Sequence, residues 1–340
     1  MRLLLSLILI GAALWSGYWY VTATALQDSF DSWFNDRRDD GWVAETSDLS
    51  VAGFPNRIDT TFTNLSLADP STGLAWDAPF FQILALSYKP NHVIAVWPNS
   101  QRVANPYDTF DITSEDMRAS LVVAPSTNLA LERSTVTIQG LSVQPAEGQL
   151  QGQNDSTDIA QLTMAVETVP GDPAPAYRFG LKADGVSPAL PLKIRIDPGN
   201  ALPDTLEALN ADITVTFDTV WDRFAIERAR PQPREIDVKL AEARWGQLEL
   251  LVAGSLRVDE AGLPSGKMTV KARNWREILA LGVNTGMVPE TLAGTLEDGL
   301  GLMAQLSGNP NTLDLPLDFN RGRVFLGPIP LGDAPVLRIR

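Results

Sequence analysis

The side chains that could do chemistry in this chain are mostly carboxylates, and they fall in short clusters. Asp36, Asp39 and Asp40 lie in "DRRDD", Asp259 and Glu260 in "VDEAG", and Glu297 and Asp298 in "LEDG". Paired carboxylates can divide the acid and nucleophile roles of glycoside hydrolysis, or hold a hard cation. Each cluster falls at an expected turn or helix end, and Arg37 and Arg38 share the charge of the first. A solvated face is the plainer reading of all three, although a fold can still assemble carboxylates from distant strands.

Other chemistries have less to draw on. The one histidine, His92, sits in "KPNHVIAVWP", expected at a loop edge leading into a strand, so a Ser-His-Asp triad or a histidine-rich metal site lacks parts. There is no cysteine, which removes disulfides, thiolate metal sites and cysteine nucleophiles. "GTLEDGLG" at Gly294–Gly301 resembles a phosphate loop but lacks its lysine and preceding strand. The nine tryptophans could form a sugar platform. Their scatter favours core or groove lining. No catalytic, cofactor-binding or metal-binding residue is assigned, no cofactor is expected, and the chain is read as not an enzyme.

The net charge of −14 over 340 residues repels polyanions. Arg321, Arg323, Arg338 and Arg340 come nearest to a basic patch, but they alternate with apolar, strand-like residues. No nucleic-acid partner is expected. Apolar residues make up 44% of the chain, enough for a substantial core.

The first element that must position anything is "LLLSLILIGAALWSGYWYV", Leu3–Val21. As a helix it rises about 28 Å, close to the roughly 30 Å of a bilayer's hydrocarbon core. No charge occurs between Leu3 and Gln27. "ATA" at Ala23–Ala25 could imitate a signal-peptide cleavage site. Against cleavage, the apolar run is too long, and Trp15, Tyr18, Trp19 and Tyr20 form an aromatic belt at its far end. Leu3, Leu14, Trp15, Trp19 and Val21 are therefore expected to mark a retained membrane anchor. Leu26, Phe30, Trp33 and Phe34 then recur at helical spacing, and Gly41 is placed to end that helix. The expected layout is an anchor over residues 1–26, an amphipathic helix over 27–41, and a β-rich domain over 42–340. Arg2 precedes the span and aspartates follow it, which favours the bacterial inner membrane with the C-terminal domain in the periplasm.

From Leu49 onward the periodicity becomes two. "NRIDTTFT" puts Ile58, Thr60 and Phe62 on one side, and "HVIAVW" puts Val93, Ala95 and Trp97 together. "YRFGLKA", "LKIRID", "DITVTFD", "EIDVKLA", "GKMTVKARN" and "TLDLPLDF" repeat the pattern. Hairpins are expected at Arg257–Lys271 and across Asn320–Gly322. Helices are few. Asn274 is a candidate N-cap with Glu277 completing a capping box, and Trp275, Ile278 and Leu279 form the stripe behind it. Pro289 suits the start of a helix carrying Leu292, Leu296, Leu300 and Met303. "LPDTLEALN" at Leu202–Asn210 is read as a short helix. The fold class is mainly β, with large curved antiparallel sheets apolar on one face. Two lobes, 45–150 and 159–340, and one continuous sheet both remain open.

Three stretches carry a resemblance: "GFPNRIDTTFTNLSLADP", "GSLRVDEAGLPSGKMTVKARNW" and "LPLDFNRGRVFLGPIPLG". Together with the preceding membrane helix they are similar to the uncharacterised alphaproteobacterial envelope proteins of domain-of-unknown-function family 2125. That resemblance implies an envelope location and carries no activity or functional residues. In style, the turns also resemble AsmA-type envelope proteins, which implies a folded-over sheet with an apolar groove linked to lipid handling.

Strands that are apolar on one side need cover, and the expected helices are too few to supply it. Either two sheets close on each other or an apolar trough stays open beside the membrane. The function expected is binding or handling of a lipid or other apolar ligand. The alternatives are a structural partner that docks another envelope protein and, behind both, a hydrolase of envelope polymers.

Overall fold

The computed structural model of the chain describes residues 1–146, 155–171, 175–227, 230–286, 288, 290–306 and 309–339. It is mainly β, with every described strand pairing antiparallel. The chain divides into two compact units, Met1–Pro125 with Val136–Gln151, and Ser126–Thr135 with Gly152–Arg340.

The first unit opens with one continuous helix, α1 (Arg2–Asp39). Its end is a Schellman turn, in which Gly41 at φ 87° donates to Arg38 and Trp42 donates to Arg37. Nine strands follow. They are β1 (Val43–Glu45), β2 (Asp48–Ala52), β3 (Arg57–Asp69), β4 (Leu74–Leu86), β5 (Lys89–Val96), β6 (Ser100–Ala104), β7 (Thr109–Thr113), β8 (Asp116–Val123) and residues 136–145 of β9 (Leu131–Pro145). β3 and β4 are the long central pair. β1 and β2 share the outer edge of β3 end to end, and β5 and β6 share that of β4. β8 then pairs with β5, β7 with β6, and β9 with β7.

Cross-strand partners lie on the same side of a pleated sheet, so the register assigns the faces. Ile58, Thr60 and Phe62 oppose Ala85, Ile83 and Phe81. Ile83 and Ala85 oppose Ala95 and Val93, which in turn oppose Ala119 and Leu121. One face is therefore apolar across four strands. The other carries Arg57, Asp59, Thr61 and Gln82 together with Leu84, Leu86 and Ile94.

The second unit is a meander: β10 (Thr157–Thr168), β11 (Ala176–Ser187), β12 (Ala208–Phe217), β13 (Pro233–Trp245), β14 (Leu248–Val258), β15 (Pro264–Arg273), β16 (Thr312–Asn320), β17 (Arg323–Leu326) and β18 (Ile329–Asp333). Each pairs with the next. Along β15 the buried positions are Pro264, Met268 and Ala272, with Lys267, Lys271 and Arg273 turned to solvent. Between β15 and β16 come helices α4 (Trp275–Asn284) and α5 (Glu290–Leu306), introduced after the shorter α2 (Leu190–Ile196) and α3 (Phe224–Glu227). α4 and α5 bury Trp275, Leu300 and Ala304 against Ala272 and Leu313. Gly254 and Gly266, at φ 142° and 140°, let β14 and β15 approach closely. A Cβ on either would lie 2.4 Å from a carbonyl of the facing strand.

Both expected hairpins form. β14 and β15 close around residues 259–263, and β16 and β17 close on Arg321 and Gly322, both at positive φ as a type I′ turn requires. Three local expectations change. "LKIRID" is the helix α2, because Pro191 starts a helical turn and Lys193 is buried in an ion pair with Asp204. "LPDTLEALN" is not helical. Leu206 donates to the carbonyl of Val186 and Glu207 to that of Arg244, which draws the segment into the sheet. Asn274 does precede α4, but at φ 54° its side chain donates to the Gln247 carbonyl instead of capping the helix. Pro289, the side chain of Leu292, Arg340 and most of "QLQGQNDSTD" lie outside the described residues.

Candidate functional site

The candidate site is built on α1 and the apolar face of the first unit. At 1.5 Å per residue the 38-residue helix is about 57 Å long. An 18-residue window of it has a mean hydropathy of 1.6 with none of it buried, so it is a candidate single membrane span or signal anchor. Leu3, Leu14 and Val21 are exposed.

From Trp15 onward the helix is tied to the strands. Trp15 Nε1 donates to the Pro55 carbonyl at 2.9 Å, and Trp19 Nε1 to the Arg57 carbonyl at 2.6 Å. The Tyr18 hydroxyl donates to the Ser87 carbonyl at 3.0 Å. Three of the four rings expected in an aromatic belt thus bind the protein's own loops, while Tyr20 is exposed. "ATA" lies within the helix, with Ala23 buried. Further on, α1 follows the direction of β3 and sets Phe30 and Phe34 against Phe62, with ring centroids 5.0 and 5.9 Å apart.

A row of rings continues across the sheet. Phe62 stacks near Phe81 at 6.1 Å, and Phe81 meets Trp76 at 5.4 Å and Trp97 at 5.1 Å. Between α1 and this row lies a cavity of about 180 Å³, lined among others by Phe30, Phe34, Phe62, Trp76, Phe81 and Ile83. Its lining has no titratable side chain. It can hold hydrocarbon, and it offers nothing for acid–base chemistry. Beyond α1 the face stays only half-buried at Phe81, Ile83, Val93 and Ala95.

The other face of this unit is mixed, with Leu84, Leu86 and Ile94 beside its polar side chains. A depression of about 480 Å³ there includes Ser66, Asp77, Arg102 and Asp111, but Asp77 accepts from Ser66 and Asp111 is paired with Arg102 at 2.8 Å. His92 lies within β5 on this face, with Nε2 2.9 Å from Ser120 Oγ.

The carboxylate clusters stay apart. Asp40 pairs with Arg37, Glu297 lies 3.9 Å from Arg276, and Asp259 accepts the amides of Ala261 and Leu263 to close a hairpin loop. "GTLEDGLG" is interior to α5. Among the described residues no group of His, Asp and Glu could hold a metal. Among the carboxylates and tyrosines of the strands, three have shifted pKa values. Ser71 and Thr72 donate to Asp69 and hold it low. The Arg178 guanidinium holds Asp212 low, and burial pushes Tyr177 up. None of them borders the cavity.

Reading the sequence missed β4, and with it Phe81 and Ile83. In "FFQILAL" both faces are apolar, so alternation is blurred. The signal that could have found it is the β-rich run ending at a two-residue turn, Ser87–Tyr88.

The family model for DUF2125, "Uncharacterized protein conserved in bacteria", matches residues 19–335. The chain belongs to this family. The DUF2125 region begins at Trp19, so it includes Phe30, Phe34 and the whole aromatic row but not Trp15 or Tyr18. No curated protein and no solved structure matches the chain.

Proposed function

We propose that this DUF2125 protein is a non-enzymatic, single-pass protein of the bacterial inner membrane, retained by α1 with its β-rich units in the periplasm. We further propose that the apolar face of its first unit takes the acyl chain of a membrane lipid or a similarly apolar ligand. The observation that carries this reading is that α1 covers only part of an apolar face and is bonded to one end of it. Helix residues Trp15 and Trp19 hold the start of β3, and the half-buried Ala85, Ile83 and Phe81 lead away from that end. A chain leaving the bilayer beside α1 would meet apolar surface throughout, and each buried CH₂ contributes about 0.8 kcal/mol. Retention of α1 is supported by the bonds of Trp15, Tyr18 and Trp19 to the first unit, which cleavage at "ATA" would remove. The orientation rests on Arg2 before the span.

The test is lipid extraction and mass spectrometry of full-length protein purified in detergent, beside a Phe81→Glu variant. Lipid is expected with the wild type and reduced severalfold with the variant. Absence of lipid from folded wild-type protein overturns the reading. So would turnover of an envelope polymer that disappears when specific carboxylates are changed, because it would make the protein an enzyme.

A further inference from the structure

We infer that the loop Phe54–Asn56 and the turn Ser87–Tyr88 dip into the bilayer at the headgroup–acyl boundary beside α1, making the edge of the first unit a second membrane contact. The inference rests on the proposal that α1 spans the membrane, and three observations carry it.

The first is length. From Leu3 to Leu14 the helix rises about 17 Å, well short of a hydrocarbon core of about 30 Å. Residues Trp15–Val21 must lie within or just at the edge of that core, and these are the residues to which the loops are bonded. Trp15 holds Pro55, Tyr18 holds Ser87, and Trp19 holds Arg57.

The second is that backbone carbonyls on both segments have partners, the Ser87 carbonyl accepting from Tyr18. Irregular backbone survives at membrane depth only when its polar groups find partners. The carbonyls of Gly53, Pro55, Asn56 and Arg57 all accept: from the Arg57 amide, the Trp15 indole and Ser87 hydroxyl, the Ser87 amide, and the Trp19 indole respectively. Pro55 has no amide hydrogen to satisfy.

The third is what the tips present. Phe54 is 54% exposed and Tyr88 65% exposed, with Leu86 at 38% beside them. In a chain of net charge −14, the stretches Gly53–Arg57 and Ser87–Lys89 contain Arg57 and Lys89 and no carboxylate. Arg57 is paired with Asp59 at 2.8 Å, so Lys89 is the cation these apolar tips offer to an anionic lipid surface. Phe54 also packs edge-on against Trp19, with centroids 5.6 Å apart, so the loop extends the helix's own lipid-facing surface.

The chain has no cysteine, so single cysteines can carry an environment-sensitive fluorophore. Full-length Phe54→Cys, Tyr88→Cys, Leu9→Cys and Tyr107→Cys proteins would be labelled and reconstituted in phosphatidylethanolamine–phosphatidylglycerol vesicles. Iodide in the water and nitroxide-bearing acyl chains would then serve as quenchers. Tyr107 lies on the β6–β7 turn and is 89% exposed, so it reports water. The expected result is iodide quenching several-fold weaker at 54 and 88 than at 107, with acyl-chain quenching at 54, 88 and 9. Position 88 keeps the test valid if the change at 54 disturbs the loop. Embedding at 9 with water-like quenching at both 54 and 88 overturns this inference and leaves the anchor intact. Water-like quenching at all four positions overturns both.

Discussion

The indole N–H of Trp19 donates to the carbonyl of Arg57 across 2.6 Å, so the apolar helix and the strand that begins the apolar face are joined where one meets the other. Trp15 repeats the arrangement at Pro55 one helical turn earlier. A net hydrogen bond is worth about 1 kcal/mol, so Trp15→Phe with Trp19→Phe should loosen this junction without unfolding the sheet. Hydrogen exchange on the detergent-solubilised protein should show faster exchange at the amides of Arg57 and Ser87 and unchanged exchange in β13–β15. Uniform acceleration would argue against a local joint.

Phe62 is buried at the centre of the row that links Phe30 and Phe34 to Phe81. Phe62→Ala is expected to cost about 3–5 kcal/mol and to release the second half of α1. The expected readouts are a lower urea midpoint and new protease cleavage between Leu26 and Asp40.

Thr60 is fully buried on the same face, and its hydroxyl has no hydrogen-bond partner. An unsatisfied buried donor costs about 1–3 kcal/mol. Thr60→Val keeps the shape and removes the hydroxyl, so it should raise the stability of the first unit. A fall in its melting temperature would contradict this.

Gly266 at φ 140° faces the Ser255 carbonyl, which a Cβ would approach to 2.4 Å, whereas Gly294 in α5 has nothing within 4 Å of such a Cβ. Gly266→Ala should destabilise by about 1–3 kcal/mol. Gly294→Ala should stabilise by about 0.5–1 kcal/mol through helix propensity. Opposite shifts of the denaturation midpoint check both at once.

Tyr177 is buried, and its oxygen accepts the Trp221 amide at 3.0 Å. Burial pushes its pKa above the ordinary 10.0. The unfolded chain therefore loses this proton first as pH rises. The stabilisation is full below about pH 10 and is lost as pH climbs through the folded value. Tyr177→Phe should remove this alkaline dependence. It should also cost about 1–3 kcal/mol at neutral pH, because the Trp221 amide loses its acceptor. Urea midpoints at about pH 8 and about pH 11 for both proteins test the sign.

The sequence by itself determined the elements whose cause is local. One-sided strands such as Met268–Ala272 follow from alternation. The β16–β17 hairpin follows from "NRG", where glycine tolerates positive φ. The long apolar helix follows from the absence of charge between Leu3 and Gln27. Family membership was legible from spaced glycines and prolines that shape turns.

Tertiary structure decided what depends on partners far along the chain. "LKIRID" alternates like a strand, yet Lys193 found Asp204 and the segment coiled. "LPDTLEALN" reads as a helix, yet the carbonyls of Val186 and Arg244 drew it toward the sheet. Asn274 could have capped its helix, but the Gln247 carbonyl was nearer to hand. The candidate site shows the same division. Periodicity marked Phe30, Phe34 and Phe62 as buried, because that depends only on which side of a helix or strand a residue occupies. Only the folded chain brought them together beside Phe81 and left the rest of that face half-covered, because cover is set by which elements meet, and spacing along the chain does not encode that.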